Sequence, residues 1–181
     1  MCPNKLNDLK FLNIQNNCGI FVLSGITESA TFGVLKANLK DKCNQCLCFN
    51  LSPYELRLSK TSNDIMEINK FVSSIKIINK IRNFSDSKNL KFVIINNWSV
   101  LQNQEKWFLI NLLDLANAKN LKIIILANVI SSKIGAIPSE QDIKSQLDLL
   151  YNYCNHFYYV NDKNLLSKEE KIGDIEIYEN K

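Results

Sequence analysis

The chain has 181 residues, 46% hydrophobic and 22% charged, which suits one domain with a core of its own and excludes wholesale disorder. No apolar run reaches the roughly 18–20 residues that cross a bilayer, and the opening MCPNKLNDLK lacks an apolar signal core, so a cytoplasmic protein without membrane contact is expected. The net charge of +4 comes almost wholly from lysine, with Arg57 and Arg82 the two arginines, in a chain rich in Asn and Ile; that bias looks like an AT-rich genome and supports nucleic-acid binding only weakly.

Short apolar runs alternate with longer amphipathic stretches. Residues 19–24 (GIFVLS) read as a buried strand. Residues 31–42 read as a helix, with Phe32, Leu35 and Leu39 at helical spacing. Residues 46–51 (CLCFNL) give a second strand, followed by a loop around Pro53 and 60–63. A helix is expected over 64–83, from the stripe Ile65, Ile68, Val72, Ile75 and Ile78, with Asp64 as its N-cap. KFVII at 91–95 is a third strand, and 104–119 a helix that turns Phe108, Leu112, Leu115 and Ala116 to one side. LKIIIL at 121–126 is a fourth strand. A helix follows over 139–153, opening at Ser139 with Asp142 in the place of the usual Glu or Gln of a capping box. HFYYV at 156–160 is a fifth strand, and the alternating DIEIY at 174–178 suits an edge strand.

Continuous apolar strands separated by helices predict an α/β fold: a three-layer α/β/α sandwich of about five mostly parallel strands. The domain is expected over 1–165, with 166–181 as a tail. Only five glycines and three prolines argue against a sandwich built on tight turns. Six cysteines without a signal peptide point to reduced thiols. Cys43, Cys46 and Cys48 contain one CxxC step, but a fourth metal ligand is lacking nearby, so they read as small buried hydrophobes and no metal is expected.

In such a sheet, ligands bind beyond the carboxyl ends of the strands. The first strand ends at Ser24-Gly25 and leads through Gly25–Phe32 into a helix, where a phosphate loop would read G-x-x-x-x-G-K-[ST]. Gly25 supplies the first glycine. Ala30 stands at the second, Thr31 at the lysine and Phe32 at the magnesium hydroxyl, while Glu28 brings a negative charge. The third strand ends in Asn96-Asn97, where nucleoside triphosphatases commonly hold magnesium on an acid; amides neither hold that ion tightly nor act as a base. The fourth ends at Asn128 in the same cleft.

The segment FVIINNWSVLQNQEKWFLINLLDLANAKNLKIIILAN resembles the AAA+ ATPase domain of bacterial replication initiators of the DnaA type and their smaller Hda-type relatives. Asn96 and Asn97 take the family's acidic pair, Asn128 its sensor, and Asp142-Ile-Lys-Ser-Gln146-Leu147 its D-L-x-S-R box, with Gln146 at the arginine-finger position. The resemblance covers residues 19–160 and implies a P-loop nucleoside-triphosphatase fold. It departs at the lysine, the acidic pair and the arginine, and RecA-type domains share the same sheet. What it implies here is a non-catalytic domain without a cofactor, a pseudo-ATPase, acting on a protein partner in DNA replication or recombination. The aromatic surface for that partner is expected at Trp98 and Trp107 and around 151–159, the other reading being that these rings pack in the core. The alternatives are a nucleotide-binding ATPase with a rearranged site, using Lys36 or a partner's cation, and a RecA-paralogue-like module for DNA repair or nucleic-acid binding.

Overall fold

The computed structural model describes residues 12, 17–25, 28–51, 73–87, 89–98, 101, 106–134, 136, 138–161, 170–172 and 175–179. In chain order these form β1 (Gly19–Gly25), α1 (Glu28–Leu39), a 3-10 turn (Lys40–Gln45), β2 (Cys46–Asn50), α2 (Ser74–Ser87), β3 (Phe92–Asn96), α3 (Lys106–Lys119), β4 (Lys122–Asn128), α4 (Glu140–Tyr153), β5 (His156–Asn161), β6 (Glu170–Ile172) and β7 (Ile175–Glu179).

The strands make one sheet in the order β2-β3-β4-β1-β5-β7-β6. The pairs from β2 to β7 are all parallel, and β6 closes the edge antiparallel to β7. The sheet is therefore wider than the five strands expected. Residues 175–179 lie between β5 and β6, not at the edge.

Strand residues alternate between two cores, as a period of two requires. Ile20, Val22, Leu47, Phe49, Val93, Ile95, Ile123 and Ile125 pack with α2, α3 and α4 on one face. Phe21, Leu23, Cys46, Cys48, Ile94, Ile124 and Leu126 pack with α1 on the other. Both faces being covered explains why these strands read as unbroken apolar runs. Ile123, Ile124 and Ile125 are fully buried, and each contributes roughly 2 kcal/mol by leaving water.

Helix boundaries shift for local reasons. Helix α1 starts at Glu28, three residues before the expected start. The expected N-terminal part of the second helix, with its Asp64 cap and the residues Ile65, Ile68 and Val72, lies outside the described residues. In α2 the inward stripe is Ser74, Ile77, Ile78 and Ile81, all buried. Ser74 holds the inward slot, so Ile75 is turned out and 58% exposed, contrary to its place in the expected stripe.

Candidate functional site

The order β2-β3-β4-β1-β5 sets up a crevice. From β1 the chain crosses to β2 through α1 on one face; from β4 it crosses past β1 to β5 through α4 on the other. The connections from β1 and β4 lead to opposite faces, and in such sheets a crevice forms outside the carboxyl ends of the strands at that point. Gly25 and Asn128 are register partners there, and the N-terminus of α1 begins beside them at Glu28.

The expected phosphate-loop residues do not form a long loop. Gly25 is the last residue of β1 and Glu28 the first of α1, which leaves Ile26 and Thr27 between them. Ala30, Thr31 and Phe32 belong to the helix. Thr31 and Phe32 are 1% and 3% exposed, so they face the core and not a ligand. Lys36 is exposed on α1, eight residues beyond its start. That is about 12 Å along the axis, too far for its ammonium to serve a phosphate at the helix start.

The expected acidic pair is an amide pair with a defined structure. Asn96 donates from Nδ2 to Oδ1 of Asn50 at 3.1 Å, across the paired ends of β3 and β2. Asn96 is fully buried. Asn97 follows with φ 64°, a left-handed turn that Asn tolerates better than most residues, and takes the chain out of the strand. Among the described residues, Oδ1 of Asn96 and Oγ of Ser24 are buried without a hydrogen-bond partner. Both lie at the carboxyl ends of central strands. Unsatisfied buried polar groups are rare in native proteins, and these two mark this edge as unusual.

Beyond Asn128, two side chains of α4 hold the loop. Gln146 accepts from the N–H of Ile130 at 3.0 Å and donates to its carbonyl at 2.6 Å. The residue expected at an arginine-finger position is thus bound to its own chain. Asp142 accepts from the N–H of Ser139 at 2.8 Å, from the Ser139 hydroxyl at 2.8 Å and from the N–H of Ser132 at 3.2 Å. Ser139 accepts in return from the N–H of Asp142 at 3.2 Å, so the capping box forms with Asp in the Glu place.

The Ser139 backbone N–H first, then Ser132 and the Ser139 hydroxyl, hold the Asp142 carboxyl at about 2, below its ordinary 3.8. A depressed carboxyl stabilises the fold above its unfolded value and loses that contribution as pH falls through the folded one. Acid unfolding followed by circular dichroism should therefore show a loss between about pH 4 and pH 2 that Asp142→Asn removes. Identical acid limbs for the two proteins would refute this role.

The candidate partner surface needs correction. Trp98 is 3% exposed and stacks on Phe108 with centroids 6.3 Å apart, so its ring is core. Trp107 is half-buried and meets Phe108 edge-on at 6.2 Å. Phe157, Tyr158 and Tyr159 are buried in the sheet, and Tyr151 donates to Glu140 at 3.1 Å. These aromatics chiefly pack. Cys46 and Cys48 are buried, and burial pushes the Cys48 thiol up to about 12, which makes it unreactive. The Cys43 side chain lies outside the description. Among the described residues no group of three His, Cys, Asp or Glu is placed to hold a metal ion, and no helix is long and apolar enough to cross a membrane.

No protein-family model matches the sequence, and no curated protein matches it. Solved structures match its fold. The crystal structure of the RadB recombinase is similar with TM-score 0.55 and 13% identity, over 82% of this chain and 77% of that one. A second solved structure, of an ATPase domain, is similar with TM-score 0.61 and 12% identity, over 86% and 75%. A DnaB-like replicative helicase, solved with its primase interactions, matches with TM-score 0.52 and 12% identity, over 71% of this chain but 43% of its own. These neighbours overturn the expectation of a non-enzyme. One is itself an ATPase domain and another a helicase, and replaced motif residues do not decide against activity in a fold that such domains use. The neighbours are RecA-like domains and give no support to the initiator branch over the RecA-type one. The chain has the three-layer α/β/α fold of P-loop nucleoside triphosphatases.

Proposed function

We propose that the chain is a RecA-paralogue-like nucleotide-binding module with a rearranged phosphate site, working in DNA recombination or replication alongside protein or nucleic-acid partners. The observation that carries this reading is the crevice between the ends of β1 and β4, with the α1 N-terminus beside it. Helix N-termini favour phosphate through their free N–H groups and the helix dipole. The buried Ser24 hydroxyl at the end of β1, which has no hydrogen-bond partner and can donate, supports it further. The neighbours from recombination and replication support the setting. The reduced thiols of Cys46 and Cys48 suit a reducing cytoplasm.

The site chemistry specifies how binding should look. No lysine reaches the phosphates from the described part of α1, and Asn96 cannot supply a metal carboxylate. Calorimetric titration should therefore show weak, saturable ATP binding that chelation of magnesium leaves unchanged. Asn128 is exposed at the crevice mouth, so Asn128→Trp should block binding without disturbing the core. Absence of any binding heat at saturating ATP would refute the nucleotide part of the reading.

A further inference from the structure

We propose that the loop after β4 and the first half of α4 form a hinged flap that closes over a nucleotide in the crevice, with Tyr151 and Glu140 as its latch. The closure rests on the nucleotide reading of that crevice. Leu147 has φ −133° and ψ 33°, so α4 is two helices joined at a bend. The Tyr151 hydroxyl donates to Oε1 of Glu140, 11 residues earlier, at 3.1 Å. In a straight helix those residues would stand about 16 Å apart, farther than the two side chains reach, so the contact belongs to the bent form alone. Lys144 strengthens it, with its ammonium 2.6 Å from the Glu140 carboxylate and 5.2 Å from the centroid of the Tyr151 ring.

The flap is tied to itself and only lightly to the core. Gln146 holds both backbone groups of Ile130, and Asp142 holds the N–H groups of Ser132 and Ser139, so loop and half-helix move together. Val129 and Leu147 are buried at its two ends; among the described residues between them, the buried ones are Pro138, Asp142 and Ile143. The second half of α4, by contrast, packs Leu149, Leu150, Tyr151 and Tyr153 against the core. Segments with few buried apolar contacts are the ones that open most readily. Ile130 is 74% exposed and Ile134 fully so, both a short way beyond Asn128 at the crevice mouth. Release of the latch frees the half-helix to swing about Leu147. The swing lifts Ile143 from the core and carries Ile130 and Ile134 over the crevice, so that two apolar side chains leave water for the one that enters it.

The test is the rate at which N-ethylmaleimide modifies an Ile143→Cys protein, read by mass spectrometry on the peptide that holds the new thiol. Ile143 lies under the flap, so the rate follows how often the flap lifts. Adding Tyr151→Phe should speed the reaction roughly fivefold, the shift for the loss of one hydrogen bond. Glu140→Ala should do the same, and the two together no more than the larger of them, because they break one contact. The native Cys48 thiol, buried in the opposite core, should stay unmodified throughout, which separates flap lifting from global unfolding. On the unaltered protein, saturating ATP should lower hydroxyl-radical oxidation of Ile130 and Ile134 severalfold. A thiol rate that neither substitution changes, or Cys48 reacting in step with the new thiol, would overturn the flap. Binding heat from ATP with Ile130 and Ile134 still oxidised at the ligand-free rate would overturn the closure and leave the nucleotide reading standing. ATP without binding heat would remove the nucleotide reading and the closure over it, while the thiol rates, measured without ligand, still decide the hinge and its latch.

Discussion

Gly19→Ala should lower the melting temperature more than any surface substitution in this protein. Gly19 has φ +140°, a conformation that L side chains rarely adopt, and a Cβ built there would lie 2.2 Å from Oδ1 of Asn155. That oxygen cannot simply move aside. It accepts from the N–H of Ile20 at 2.7 Å, while the Asn155 N–H donates to the Ile20 carbonyl at 2.8 Å. The side chain thus closes the start of β1 against the turn into β5, and the Gly19 N–H is itself bound to the Leu121 carbonyl at 3.1 Å. Backbone strain of about 1–3 kcal/mol, with the loss of the part-buried Ile20–Asn155 hydrogen bond at about 1 kcal/mol, gives roughly 3 kcal/mol. For a chain of this size that is a fall of about 6–12 °C. The same substitution in an Asn155→Ala background should cost distinctly less, because only the φ strain remains. A Gly19→Ala protein that melts within about 2 °C of the parent would show that the turn relaxes freely.

The fold was legible in the sequence because burial on both faces leaves a simple trace. Runs such as KFVII and LKIIIL need no periodicity to be read as strands of a covered parallel sheet. Helices α3 and α4 were legible from their apolar spacing and from Ser139. Trp98 was misread because its sequence neighbours are polar; only the packing of Phe108 shows that the ring turns inward. Gln146 was singled out only by a resemblance; its partner, Ile130, lies 16 residues away and is supplied by the fold. The inference from replaced motif residues to a non-enzyme went further than those residues allow.

Asn96→Asp should destabilise the protein strongly at neutral pH, even though it puts an acid at a strand end where nucleoside triphosphatases commonly hold magnesium. Asn96 is fully buried and donates to Oδ1 of Asn50. A carboxylate there would lose the donor and set one acceptor against another, with no cation beside it among the described residues. Burial raises the pKa of such a group by as much as 3–5 units. At about 1.4 kcal/mol per unit, a shift of 3 units costs roughly 4 kcal/mol above the folded pKa. The sign follows from linkage: the unfolded carboxyl releases its proton near pH 4 and the folded one only at higher pH, so the loss grows between those two values and then levels off. Below that window the protonated acid can donate to Asn50 in place of the amide, and the variant should approach the parent. Asn96→Ala has no such recovery; it leaves Asn50 Oδ1 without this donor at every pH, at about 1–3 kcal/mol. Urea unfolding of the three proteins at pH 4.5 and 7.5 separates these cases. An Asn96→Asp deficit that is equal at both pH values would mean that the carboxylate is solvated, and that the end of β3 lies open to the crevice.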